Sequence, residues 1–180
     1  MQKIFWRVLC CAIVVCLILI VVFHRPLYKF NYYTNSDVVN AQQVLWEDLD
    51  IQQKTLTKQE YKTLVEQELH MSHYVLIEKD TIRYKDAYGY AMPLIRTVVL
   101  KKDLNAFYYT QTLTHELIHI KYFSADERFV DYMTFRTLYE SNNEYLHNMG
   151  VIYGIMVVED YIKPEYSCKG YIVNYLKEKI

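Results

Sequence analysis

The first constraint on the fold is an uninterrupted apolar run near the amino terminus. Residues 8–23 contain no charged side chain, and the run grows to twenty residues when it is counted from Ile4 and Arg7 is tolerated. At about 1.5 Å per helical residue these lengths come to about 24 and 30 Å, and the longer one matches a hydrocarbon core. We therefore predict a membrane anchor over residues 1–25, followed by a linker over residues 26–35.

The charges that flank this run indicate its orientation in the membrane. Lys3, Arg7 and the terminal amine precede it on a short tail, whereas Arg25 and Lys29 follow it. Because positive charge on a short tail stays on the cytoplasmic side, we predict a single-pass membrane protein with its domain on the extracytoplasmic side. A cleaved signal peptide is the alternative, but such peptides have a shorter apolar stretch and end at a small-residue cleavage site.

The composition limits the classes of protein to consider. The chain has 180 residues, with 20 Lys and Arg against 21 Asp and Glu, so its charge gives no reason to expect nucleic acid as a partner. Only 4 Gly and 3 Pro are present, which favours helices over a fold with many tight turns. Cys168 is the single cysteine outside the apolar run, so the sequence predicts neither an internal disulfide framework nor a cysteine metal site.

Hydrophobic periodicity predicts a helix-rich α+β domain over residues 36–180. The predicted helices cover residues 36–48, a segment that follows a capping box from Thr57 to Glu60, residues 107–122, 125–140 and 143–161, and a segment after Pro164. The predicted strands cover residues 73–78, 81–86 and 94–101. We expect the first two helices to pack as a hairpin. We expect the strands to form a small sheet, about three-stranded and antiparallel or mixed.

The residues with the clearest chemistry are His115, Glu116 and His119, which form a His-Glu-x-x-His pattern within a predicted helix. Positions four apart lie on the same helix face, so both imidazoles can direct a ring nitrogen at one ion. Zinc binds imidazole nitrogen at about 2.0–2.1 Å and prefers a tetrahedral shell of ligands. Glu116 lies beside such an ion, where its carboxylate can accept a proton from metal-bound water. The pattern therefore predicts a Zn²⁺ site with Glu116 as the catalytic base.

A catalytic zinc needs a third protein ligand, which we seek in the next helix. Ser124 and Glu127 match a second capping box, so the two helices are joined by a few residues and should form an antiparallel hairpin. Residues at equal distances from such a turn face each other, which places Glu127 opposite His119 and Asp131 near His115. We predict that Glu127 is the third ligand; the alternative is that it only caps the helix and binds no metal. We also predict that Asp131 fixes the tautomer of a ligating histidine. The other candidates for third ligand are Asp126, Asp131 and Glu140.

These residues resemble those of zinc metallopeptidases of the gluzincin kind, and in particular small ImmA/IrrE-type and membrane peptidase domains. The resemblance rests on the His-Glu-x-x-His pattern at residues 115–119 and on a Glu-x-x-x-Asp pattern at residues 127–131. It implies a minimal zincin-like fold with an active-site helix hairpin, Zn²⁺ as cofactor and a peptide or protein substrate. It also implies that the strand at residues 94–100 pairs with extended substrate. Only seven residues separate His119 from Glu127, which is fewer than usual in these families.

The residues and the resemblance together predict a membrane-anchored, zinc-dependent endopeptidase that hydrolyses peptide bonds with Glu116 as general base. The alternative is a non-catalytic, membrane-anchored metal-binding or interaction protein of an immunity-like or assembly-like kind. His70, His73, His147 or a tyrosine could supply a further donor to the developing oxyanion, but the sequence selects none of them. The zinc content of the purified protein separates the two predictions.

Overall fold

A computed structural model describes residues 33–82, 87–161 and 168–179 of the chain. Within these ranges, six α-helices and three β-strands confirm the prediction of a helix-rich α+β fold. The helices are α1 (Asn35–Asp48), α2 (Lys58–Leu69), α3 (Ala106–Tyr122), α4 (Glu127–Tyr139), α5 (Glu144–Val158) and α6 (Lys169–Lys177). The strands are β1 (Val75–Lys79), β2 (Gly89–Met92) and β3 (Thr97–Lys101), with a 3₁₀ turn at Pro93–Ile95 between the last two.

The predicted anchor over residues 1–25 lies outside the described residues, and so do residues 26–32 of the predicted linker over residues 26–35. Among the residues that are described, no helix combines the length and the apolar character needed to cross a bilayer. The described residues all belong to one compact unit, residues 31–180. The anchor and its orientation therefore stay predictions from the sequence.

The sheet is mixed, and its strands lie in the order β1-β3-β2. The middle strand, β3, pairs in parallel with β1 and antiparallel with β2. The predicted strand at residues 94–101 is confirmed only from Thr97 onward, because the chain first makes a 3₁₀ turn that ends at Arg96 in a left-handed conformation (φ 47°). The predicted strand at residues 81–86 lies largely outside the described residues. The third strand is instead Gly89–Met92, which the sequence analysis missed.

Helix caps explain where α2 and α4 begin. The predicted capping box of α2 is confirmed, because Thr57 and Glu60 each accept a hydrogen bond from the backbone of the other. The predicted box from Ser124 to Glu127 is wrong, because the N-cap of α4 is Asp126, whose carboxylate accepts from the backbone N–H groups two and three residues later. Glu127 is therefore the first residue of α4, and its side chain does not bond back to Ser124.

The helices pack in two apolar clusters, and this division shows that the predicted hairpin of the first two helices is wrong. α1 packs against α5 and α6 through Ala41 and Leu45, whereas α2 packs against α3 through Tyr61 and Val65. The nine residues 49–57 between the two helices are enough for each to join a different cluster. α4 and α5 contribute side chains to both clusters.

The crossing of α4 and α5 is close enough to require a glycine. A Cβ atom on Gly150 would lie 2.3 Å from the backbone N of Tyr139 and 2.6 Å from its Cα. One turn later, a Cβ atom on Gly154 would lie 2.9 Å from side-chain atoms of Leu45 and Phe135. At Gly150, the backbones of α4 and α5 are therefore in direct contact, with no side chain between them.

Candidate metal centre

α3 carries both histidines of the pattern on a largely buried surface. Asn105 caps the helix by accepting a hydrogen bond from the backbone of Tyr108, and neither Gly nor Pro interrupts the next 17 residues. The helix packs against α2, α4 and the sheet, so most of its circumference is covered. The side chains of His115 and His119 are only 15% and 11% exposed. Little of either imidazole is therefore accessible to water.

The ring of His119 is held by the turn between α3 and α4. Its Nδ1 lies 2.6 Å from the backbone carbonyl oxygen of Ser124. Phe123 ends α3 in a left-handed conformation (φ 49°), which an aromatic residue rarely adopts, and the chain reverses there. Because a carbonyl oxygen can only accept, Nδ1 carries the hydrogen, and in a neutral ring Nε2 carries a lone pair.

The ring of His115 is held from α4. Its Nδ1 lies 3.0 Å from Oδ1 of Asp131, which can only accept in its ionised form. The Nε2 atom of a neutral His115 therefore also carries a lone pair. Asp131 meets the far nitrogen of this ring, so it lies behind the histidine, in the position expected of a group that fixes the tautomer.

The two Nε2 atoms converge with a carboxylate oxygen of Glu127. Nε2 of His115 lies 3.0 Å from Nε2 of His119, and Oε2 of Glu127 lies 3.1 Å from the first and 3.4 Å from the second. Ligand atoms around a tetrahedral ion at about 2.0–2.1 Å are about 3.3 Å apart, so these three atoms have the spacing that suits one small cation. Three electron-rich atoms this close repel one another unless a cation or a proton lies between them.

The charges around these three atoms favour a bound cation or proton. Although burial lowers the pKa of His115, its hydrogen bonds to Asp131 and Glu127 raise it to about 10. Burial also lowers the pKa of His119, but the hydrogen bonds to Glu127 and Ser124 and the charge of Glu116 together raise it. In turn, the hydrogen bonds from the two histidines hold the pKa of Glu127 far below its usual value. Since a metal ion binds neutral imidazole, it must displace the proton that the metal-free site holds.

Glu116 completes the group from the interior side. Its side chain is 6% exposed, and burial raises the pKa of its carboxyl against the opposing effect of the two histidines. One ligand atom each from His115, Glu116 and His119 lie within 4.8 Å of one another, so this group could hold a metal ion. The carboxylate oxygen of Glu127 also lies near both histidines, at 3.1 Å from His115 and 3.4 Å from His119.

β2 borders this site, which corrects the predicted role of residues 94–100 as the strand that pairs with substrate. β3 is the middle strand, so both of its edges are already paired. The backbone N–H of Lys101 donates to the carbonyl of Tyr88, so the N–H and C=O groups of Gly89 and Ala91 face away from β3 in this ladder. The N–H of Ala91 meets the carboxylate of Glu116 there. No other described strand pairs with this edge.

One residue that contacts the site was missed by the sequence analysis. The hydroxyl of Tyr153, on α5, donates to Oδ1 of Asp131 at 3.1 Å. Tyr153 lies in an apolar stretch that predicts only core packing. The hydroxyl of Tyr153 is the single polar side-chain group in that stretch. Because a buried hydroxyl needs a partner, this hydroxyl is the signal in the sequence that could have pointed to a contact.

The remaining candidates for third ligand have other partners. Asp126 is the N-cap of α4. Glu140 ends α4, where it pairs with Arg136 at 2.9 Å and accepts the hydroxyl hydrogen of Tyr175. These contacts engage both carboxylates away from the two imidazoles.

Among the three histidines considered as oxyanion donors, His147 has a described partner for its ring, and His70 and His73 have described backbone features. His70 ends α2 in a left-handed conformation (φ 52°). The carbonyl of His73 accepts from Nε of Arg96 at 2.6 Å, and Nδ1 of His147 lies 2.6 Å from the carbonyl oxygen of Tyr139. None of these contacts joins a histidine to the metal centre.

Comparison with known proteins assigns no family to the chain. No model of a protein family, no curated protein and no solved structure matches it. What the structure shows is a His-Glu-x-x-His group at residues 115–119 that could bind a metal ion.

Proposed function

We propose that this protein is a zinc-dependent endopeptidase. The observation that carries the proposal is the convergence of two Nε2 atoms and a carboxylate oxygen, 3.0 to 3.4 Å apart, beside the buried carboxylate of Glu116. This is the combination of a metal site and a nearby base that hydrolysis of an amide bond needs.

The donor set fits Zn²⁺ as the resident ion. His115, His119 and Glu127 would hold it, because two imidazoles and one carboxylate with an open fourth position are typical of catalytic zinc. The side chain of Glu127 is 49% exposed, so the centre opens to solvent on that side. When bound, the ion would polarise the scissile carbonyl and lower the pKa of a water molecule.

Glu116 is the proton carrier in this proposal. Burial raises the pKa of its carboxyl, which makes the carboxylate a stronger base than an exposed glutamate. It accepts the proton of the attacking water and delivers that proton to the leaving amine. The N–H of Ala91 donates to the same carboxylate and so orients it toward the open edge of β2.

An extended peptide is the substrate that this arrangement favours. The N–H of Ala91 is engaged by Glu116, but its outward C=O group lies on a partly exposed residue and can accept a hydrogen bond from a peptide backbone laid along β2. Such pairing brings a peptide bond next to Glu116 and requires little of the side chains. We therefore expect backbone-directed binding at β2, in place of residues 94–100.

The test separates metal binding from turnover. Glu116→Gln should retain about one zinc per chain, because the histidines and Glu127 remain, and should lose about 10²–10⁴-fold in the rate of cleavage of a peptide library. His115→Ala should lose both zinc and cleavage. Full cleavage by purified Glu116→Gln would reject the base. Zinc-loaded wild type that cleaves no peptide would favour the non-catalytic metal-binding alternative.

A further inference from the structure

A chain of hydrogen bonds runs behind His115 and ends on α5. Tyr153 is 1% exposed, and its hydroxyl donates to Oδ1 of Asp131 at 3.1 Å. The same oxygen accepts the Nδ1–H of His115 at 3.0 Å. Residues from α3, α4 and α5 are therefore joined at one carboxylate oxygen.

We propose that Tyr153 is a positioning residue that fixes Asp131 and thereby directs Nε2 of His115 at the metal ion. The inference rests on the proposed zinc site. It extends that site to a third helix, which supplies no metal ligand itself.

The physical reason lies in the freedom of the carboxylate. Asp131 is 9% exposed, so few water molecules are available to hold its orientation. A carboxylate with one donor can rotate and carry the bonded imidazole with it, whereas a second donor on the same oxygen fixes that oxygen in place. A shift of a few tenths of an ångström at Nε2 matters, because metal ligands must lie within about 0.2 Å of their ideal distances.

The chemistry of Tyr153 also argues against a role in packing alone. Phenylalanine would fill the same space in α5, where the neighbouring residues are apolar. A fully buried hydroxyl costs free energy unless it is bonded, so its presence points to the bond that it makes.

The chain offers a matched control in Tyr139 of α4. Its hydroxyl also donates to an aspartate, Asp48, at 2.6 Å, and its ring lies in the same apolar cluster as that of Tyr153. Asp48 does not contact either histidine of the metal centre in the described structure. Tyr139→Phe therefore removes the same kind of bond without touching the proposed network.

The experiment uses the full-length chain in mild detergent. Zinc affinity is measured by competition with a chromophoric chelator, the ligand field by the visible spectrum of the Co²⁺-substituted protein, and folding by thermal unfolding of the metal-free protein. Tyr153→Phe should weaken zinc binding about tenfold and shift the Co²⁺ bands, because loss of outer partners of metal ligands costs about 10–100-fold. Tyr139→Phe should leave the zinc affinity within about twofold and the Co²⁺ bands unchanged.

Three results would overturn the inference. The first is wild-type zinc affinity and Co²⁺ bands in Tyr153→Phe. The second is an equal loss of zinc affinity in Tyr139→Phe, which would show that general loosening of the fold is the cause. The third is a full tenfold further loss when Tyr153→Phe is added to Asp131→Asn, because residues that act through one another are not additive. A wild-type chain that binds no zinc would instead overturn the proposed function and this inference together.

Discussion

Two helical hairpins share α4, and they begin alike. Four residues join α3 to α4, and four residues join α4 to α5. In each hairpin the second helix starts after an N-cap residue with a short polar side chain, Asp126 or Asn143, and its first residue is a glutamate, Glu127 or Glu144. Near each turn, a histidine Nδ1 meets a backbone carbonyl oxygen at 2.6 Å.

The hairpins differ in what lies between their helices. Gly150 lets the backbones of α4 and α5 touch, which leaves no room for a polar group at that level. Between α3 and α4, two imidazoles one turn apart face the glutamate, and Asp131 lies behind one of them. A short turn followed by a glutamate is therefore common to both hairpins. The candidate site differs in having a second imidazole, that of His115, with Asp131 bonded to it from behind.

The largest expected difference between the hairpins is in zinc binding. Glu127→Gln should raise the zinc dissociation constant more than about a hundredfold, because losing a ligand costs more than losing an outer partner. Glu144→Gln removes the same charge from the first turn of α5 and should leave zinc binding unchanged. Chelator competition on both purified variants measures the effect. Unchanged zinc affinity in Glu127→Gln would mean that Glu127 serves only as a helix-end residue.

The next effect concerns the hairpin of α4 and α5. Gly150→Ala should lower the free energy of unfolding by about 3 kcal/mol, because the new Cβ would meet the backbone of Tyr139, which cannot move aside. Gly154→Ala should cost about 1 kcal/mol, since its Cβ would meet side-chain atoms that can shift. Denaturant unfolding of the two variants measures both values. A smaller loss at Gly150 than at Gly154 would contradict the backbone contact.

The smallest effect is a pH dependence of the stability of the metal-free protein, which we expect from the hairpin of α3 and α4. The folded-state pKa of His115 is raised to about 10, so its contribution to stability is complete below about pH 6.5 and is lost as pH rises toward 10. The melting temperature of the metal-free protein should fall by several degrees between pH 7 and 10. His115→Gln should reduce this fall, and the part that remains is expected from His119, whose pKa is also raised. An unchanged slope in that variant would assign the pH dependence to other groups.

The sequence predicted the site better than the fold around it, and the lengths of the connections explain why. Glu127 lies beside His119, and Asp131 lies beside His115, because a connection of only four residues makes α3 and α4 pack as neighbours. Counting from the turn was enough to find which side chains meet. Whether Glu127 binds metal stays a prediction.

Longer connections and weaker patterns were not predictable in this way. The nine residues 49–57 allow α1 and α2 to separate, so the predicted hairpin failed. β2 consists of Gly, Tyr, Ala and Met, a segment without β-branched residues, and only its pairing with β3 makes it a strand. Tyr153 meets Asp131 across 22 residues of sequence, a contact that depends on how α5 packs.

The most direct test of the central claim is X-ray absorption at the zinc edge of the zinc-loaded, full-length protein. We predict two imidazole ligands with nitrogen at about 2.0–2.1 Å and the remaining ligands from oxygen. Glu127→Gln should change the oxygen shell and leave both imidazoles in place. A sulfur ligand at about 2.3 Å, or fewer than two imidazoles in the wild type, would contradict it.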